Sequence, residues 1–160
     1  MFQRLLLAID DSDTGPVAVS FAIAMASPRT AVQVVHVNQY QVGGRGLTVE
    51  TRDEACRPVH AAVAELIAAG VAATGCVWTA TCFGVADRIV AEADRWKADA
   101  IVLGSRRRGR RLFGQGVRAR VIRLSQLPVL TSPAPLKVTR RLGRHGVAAR
   151  VQRGQFKMTS

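Results

Sequence analysis

Acidic residues are missing from the last third of this 160-residue chain: none occurs after Asp99, where 15 basic residues stand. Up to Asp99, 8 basic residues meet 11 acidic ones, so the formal net charge of +12 is carried by the part that follows. Such a segment attracts phosphates, whether of a nucleotide, a nucleic acid or a lipid headgroup. Aromatics are also scarce, at 5% of the chain. This scarcity argues against stacked single-strand readout, and contact with nucleic acid would run through backbone phosphates. Cysteine is limited to Cys56, Cys76 and Cys82, an odd number without C-x-x-C spacing, which argues against a disulfide framework or zinc knuckle and for buried free thiols. His36, His60 and His145 are scattered, so no metal site is expected. No apolar run approaches the roughly 20 residues of a membrane span. The apolar stretch near Met1 is too short for a secretory signal and ends in acids, which leads us to expect a cytoplasmic protein.

What is present reads as one globular domain, with 48% hydrophobic residues. Leu5 to Ile9 is a short apolar run that predicts a buried strand. Asp10 to Pro16 reads as a helix start, capped by Thr14 or Gly15 with Pro16 in the first turn. Val17, Phe21, Ala24 and Met25 then recur at helical spacing. Ala31 to Val37 predicts a second strand, Gln39 to Thr48 a flexible loop, and Glu50 to Ala69 a helix. Gly75 to Thr81 predicts a third strand and Val85 to Trp96 a helix with Ile89, Ala93 and Trp96 on one face. Ala100 to Leu103 is a fourth, wholly apolar strand. Val117, Val121 and Leu124 mark a last helix before a strand at Val129 to Thr131. This alternation predicts a doubly wound α/β fold with a five-stranded parallel sheet and helices on both faces. Residues 1–135 form the expected domain, and residues 136–160 a basic, partly disordered tail in which only a short helix at Val147 to Gln152 is conceivable.

In such sheets ligands lie beyond the carboxyl ends of the strands, where Asp10 to Gly15 and Gly104 to Gly116 both fall. The segment from Gly104 to Val117 is rich in glycine and arginine and links a strand to a helix. Glycines let a backbone approach an anion, and helix-start amides supply donors, so the segment has the outline of a phosphate cradle. Read from spacing alone, a solvated turn serves equally well. Neither the dinucleotide fingerprint nor the Walker pattern is present. No Ser/His/Asp set has hydrolase spacing, and Asp10 with Asp11 reads as a cap rather than an acid/base pair, so no enzyme is expected.

The motifs Ile9-Asp10-x-Ser12, His36-Val37, Ala98 through Arg106, Val117 to Arg123 and Leu127-Pro128-Val129-Leu130 resemble the universal stress proteins over roughly residues 2 to 133. That resemblance implies strand order 3-2-1-4-5 and an adenine nucleotide, ATP or AMP, at the ends of strands 1 and 4, with magnesium only as the companion of ATP. It implies a stress-response regulator with no more than slow incidental ATP hydrolysis, and a homodimer paired through the last strand. The implied site comprises Ala8, Asp10 facing the ribose, Val37 against the adenine, Leu103, Gly104, Arg106, Arg107, Gly109, Gly114, Gln115, Gly116 and Val117. Asp10 read by itself is equally a helix cap. The phosphate motif departs from the family pattern: its second glycine falls on Arg107, Gln115-Gly116 stands where Gly-Ser or Gly-Thr is usual, and the loop is two residues shorter. An arginine there crowds the phosphate path and the lost hydroxyl removes a donor, while Gly109 and Gly114 partly compensate. Asp11 replaces a small residue and adds a negative charge that Arg106 to Arg108 offset. The alternative expectation is a nucleotide-free interaction protein whose basic last third contacts a polyanion or a protein partner.

Overall fold

Leu5, Leu6 and Leu7 follow one another in the chain and each is fully buried, which a strand achieves only when both faces of its sheet are covered. The computed structural model describes residues 2–10, 15–40, 50–104 and 116–133. Its elements run β1 (Arg4–Ile9), α1 (Gly15–Met25), β2 (Ala31–Tyr40), α2 (Arg52–Ala68), β3 (Ala72–Thr81), α3 (Val85–Trp96), β4 (Ala100–Leu103), α4 (Val117–Leu124) and β5 (Val129–Thr131). The five strands are parallel in the order β3-β2-β1-β4-β5, as the sequence leads one to expect. Among the described residues no helix is long and apolar enough to cross a membrane.

The two-residue period of the strands divides the core. Leu5, Leu7, Ile9, Val32, Val34 and Val102 face α1 and α2, where they meet Ala18, Ala22, Val59 and Leu66. Leu6, Ala8, Val35, Val37, Ile101 and Leu103 face α3 and α4, where they meet Val85, Ile89, Ala93 and Val121. At the amino end of the sheet the Asp99 carboxylate accepts the amides of Gln3 (2.6 Å) and Arg4 (2.8 Å), tying the starts of β1 and β4 together. The Arg4 and Gln3 amides hold that carboxyl below its usual range. An ion pair of 2.9 Å between Asp87 and Arg120 links α3 to α4.

Several expectations need correction. On α1 the buried residues are Ala18, Val19 and Ala22, not the Val17, Phe21, Ala24 and Met25 stripe. That helix is apolar nearly all round, so periodicity does not choose a face, and the sheet selects small alanines that permit close approach. Strand β2 continues through Gln39 and Tyr40, where a loop is expected, and β3 begins at Ala72 instead of Gly75. The two strands pair over ten residues from Ala31↔Ala72 to Tyr40↔Thr81, and this ladder extends both. On α4 only Val121 is buried, whereas Val117 and Leu124 each stay 37% exposed. The cysteines are free, but Cys82 is exposed and Cys56 and Cys76 are half-buried, so the thiols are not core residues. Thr14 as cap, the loop from Gln41 to Thr48 and the 136–160 tail lie outside the described residues.

Candidate functional site

Strands β1 and β4 end side by side, since Ala8 pairs with Leu103 on one flank and with Val35 on the other. The ladder between β1 and β2 stops at Ile9↔His36, while β2 and β3 run on together to Tyr40 and Thr81. The sheet therefore has a step at its carboxyl end, with the β2–β3 extension as a wall beside the ends of β1 and β4. Asp10 emerges exposed at the foot of this step and Gly104 half-buried beside it. Val37, 7% exposed, is the first β2 residue past the last β1 pair and sits in the same cluster as Ala8 and Leu103.

Gly116 caps α4 with φ −57° and ψ 153°, without a side-chain hydrogen bond to the helix amides. Among the described residues, a Cβ added there would meet no atom within 4 Å. No acidic side chain stands in the first turn of α4, so that turn itself supplies no carboxylate to the positive end of the helix dipole. Backbone amides of this kind suit an anion. Of the predicted site residues, Ala8, Asp10, Val37, Leu103 and Gly104 are thus described at the carboxyl end of the sheet and Gly116 and Val117 at the start of α4; Arg106, Arg107, Gly109, Gly114 and Gln115 lie outside the described residues.

Sequence reasoning missed a polar network next to Val37. The His36 ring, buried on the α2 face, lies 3.1 Å through Nδ1 from the Ile9 carbonyl and 2.6 Å through Nε2 from the Glu50 carboxylate. Asn38 donates to the Glu50 carbonyl (2.7 Å) and accepts from the Glu50 amide (3.3 Å). Its signal was the presence of a histidine and an asparagine on either side of Val37 in a buried strand. A second network joins Gln33, Cys76, Glu92 and Arg95 nearer the amino end of β2, and Arg88 stacks 4.4 Å above the ring of Trp78, the β3 partner of Val37. Burial, and then the neighbouring Glu92 carboxylate, push the Cys76 thiol up, away from thiolate reactivity. A groove of about 160 Å³ between α2 and β3, lined by Cys56, Val59, His60, Val63, Gly75, Cys76 and Val77, is smaller than ordinary ligand pockets of about 300 Å³ or more. Among the described residues no three His, Cys, Asp or Glu side chains gather to hold a metal ion.

The universal stress protein family model matches residues 1–133, from the first strand to just past β5. The chain belongs to the universal stress protein family. The universal stress protein from Archaeoglobus fulgidus is 29% identical, with 83% of this chain and 95% of that one covered and a TM-score of 0.64. A structure of the Archaeoglobus fulgidus universal stress protein in complex with dAMP is 28% identical over 82% of this chain and 98% of its own, with a TM-score of 0.63. A universal stress protein from Burkholderia pseudomallei, 24% identical over 82% and 96% of the two chains, shares the fold with a TM-score of 0.65. No curated protein sequence matches the chain. The family match ends where the basic residues of the tail begin, so residues 134–160 lie beyond it.

Proposed function

We propose that this chain is a cytoplasmic regulatory protein that binds an adenine nucleotide, AMP or ATP, across the carboxyl ends of β1 and β4 and switches its interactions on binding. The observation that carries this reading is the convergence of Asp10, Val37 and Gly104 on the sheet step, in a chain whose next helix, α4, starts at Gly116 without a side-chain cap. In this reading Asp10 takes the ribose hydroxyls, as carboxylates at strand ends do in related α/β sites. The backbone at Val37 reads the adenine edge, with Ala8 and Leu103 as the apolar floor. Gly104 lets the chain approach the phosphates closely, and the α4 amides and the arginines between Gly104 and Gly116 neutralise them. The dAMP complex of the Archaeoglobus fulgidus relative supports the same ligand class. Magnesium enters only as the companion of ATP. Calorimetric titration tests this: AMP or ATP should release heat with a one-to-one stoichiometry, and Asp10→Ala should weaken the binding. The absence of both heat and thermal shift at millimolar nucleotide would remove the reading.

The charge asymmetry favours a second activity alongside the first, contact with a polyanion through the acid-free region after Asp99. Its sign is a steep loss of affinity for duplex DNA with rising salt, as counterions are released. Affinity insensitive to salt would contradict it. Strand β5 is a sheet edge with Val129 and Leu130 only half-buried, which supports pairing of two copies there. Light scattering should give twice the chain mass; a monomer mass would refute the dimer.

A further inference from the structure

We infer that Glu50 is a positioning residue of the nucleotide site, setting the places of Val37 and of the Ile9–Asp10 step through His36 and Asn38; the inference rests on the nucleotide reading above. Along β2 the side chains of His36 and Asn38 project to the α2 face, while Val37 between them joins the cluster on the other face. Both flanking side chains close on the same acid. The Glu50 carboxylate meets His36 Nε2 at 2.6 Å, and the Glu50 backbone makes two hydrogen bonds with the Asn38 amide, at 2.7 and 3.3 Å. The far nitrogen of the ring then reaches the Ile9 carbonyl at 3.1 Å. Because a carbonyl only accepts, Nδ1 carries its proton toward Ile9, and the ring spans from Glu50 to the peptide that leads into Asp10.

The position of this bridge gives it consequence. The β1–β2 ladder ends at Ile9↔His36, so the next residues of the two strands, Asp10 and Val37, share no ladder pair. On the α2 side the His36 ring, held by Glu50, bridges the ends of the two strands. The His36 and Glu50 side chains are 5% and 23% exposed, so their contact lies mostly out of water, where a hydrogen bond is stronger. Glu50 is itself anchored, for the next residue, Thr51, caps α2 in a reciprocal capping box with Glu54. A rigid line therefore runs from the start of α2 to the two residues assigned to ribose and adenine.

The test uses the full chain, AMP as ligand and amide hydrogen exchange without ligand. Glu50→Ala should weaken AMP roughly tenfold, within the range of couplings between contacting residues, and Glu50→Gln, which keeps a hydrogen-bonding side chain of the same length against the ring, should recover most of the loss. In a His36→Ala background, Glu50→Ala should add less than about twofold, because its route to the site is already cut. Without nucleotide, Glu50→Ala should speed exchange at Asp10 and Val37 while leaving Leu6 and Val102 in mid-sheet unchanged. Undiminished AMP affinity, unchanged exchange at Asp10 and Val37, or an equal loss in the His36→Ala background would overturn the inference. If the unmodified chain binds no nucleotide, the functional reading falls, and the exchange experiment alone decides for or against the bridge. Should Glu50→Ala fail to fold, Glu50→Asp, which withdraws the carboxylate by one methylene, carries the same comparisons at a smaller size.

Discussion

Replacing Glu92 by methionine probes the second buried network. The Glu92 side chain is 1% exposed, accepts from Gln33 Nε2 at 2.8 Å and from Arg95 Nε at 2.9 Å, and receives a weaker contact from the Cys76 thiol at 3.7 Å. Burial opposes its ionisation, but the hydrogen bonds and charge of Arg95, with Gln33 and Cys76, prevail and hold the carboxyl below its ordinary 4.5. Methionine conserves volume, so the cost is polar. Gln33 Nε2 would lose its carboxylate acceptor and keep only the weaker Cys76 Sγ contact at 3.4 Å, while Gln33 Oε1 already lacks a partner, at about 1–3 kcal/mol. Arg95 is 61% exposed and returns to water, so its loss adds little. We expect Glu92→Met to cost about 2 kcal/mol at pH 7, roughly 4–8 °C in Tm. Since the folded value lies below the unfolded one, the stabilisation is complete above about pH 4.5 and is lost as pH falls through the folded value. The deficit of the variant should therefore be smaller at pH 3 than at pH 7. Adding Gln33→Leu should return most of the stability, because removing both partners of a buried bond is far cheaper than removing one. Urea unfolding at the two pH values provides the measurement. A deficit under about 0.5 kcal/mol at pH 7, or one that grows toward pH 3, would refute the reasoning.

Other perturbations follow from single contacts. A Cβ at Gly75 would come within 2.4 Å of Val59 Cγ1 and 3.1 Å of Val63 Cγ2, so Gly75→Ala should force α2 away from β3 and cost about 1–3 kcal/mol by urea unfolding; a neutral result would mean that α2 packs more loosely there. Thr51→Ala removes the cap that accepts the Glu54 amide and should cost about 1 kcal/mol, with a matching fall in Tm. Lys97 ends α3 with φ 59°, a left-handed conformation that glycine adopts without strain, so Lys97→Gly should stabilise the chain by about 0.5–1 kcal/mol in the same assay.

Much of the sheet could be read from sequence because its strands are short and continuously apolar, as at Leu5–Ile9 and Ala100–Leu103, which is how strands buried on both faces appear. The limits of β2 and β3 could not, since they are set by pairing between two strands distant in the chain rather than by either composition. The face of α1 was hidden for the opposite reason: with apolar residues on every side, only the sheet it meets distinguishes Ala18 and Ala22 from Val17 and Phe21. Within the site, Asp10 and Gly104 were conspicuous as polar or flexible residues directly after strands. Val37 was reachable only through family resemblance, because a backbone contact leaves no mark on side-chain pattern. Glu50 was invisible for a topological reason, as it lies beyond a long connection from His36 and meets it only when α2 folds back on the sheet.

The decisive question is whether an adenine nucleotide occupies the step at the carboxyl end of the sheet. Backbone amide shifts recorded by NMR during titration with AMP address this most directly. The account predicts saturable changes at Asp10, Val37, Gly104 and Gly116, with residues at the amino ends of the strands, such as Gln3 and Asp99, unmoved. Saturable changes centred elsewhere, or none at millimolar AMP and ATP, would contradict it.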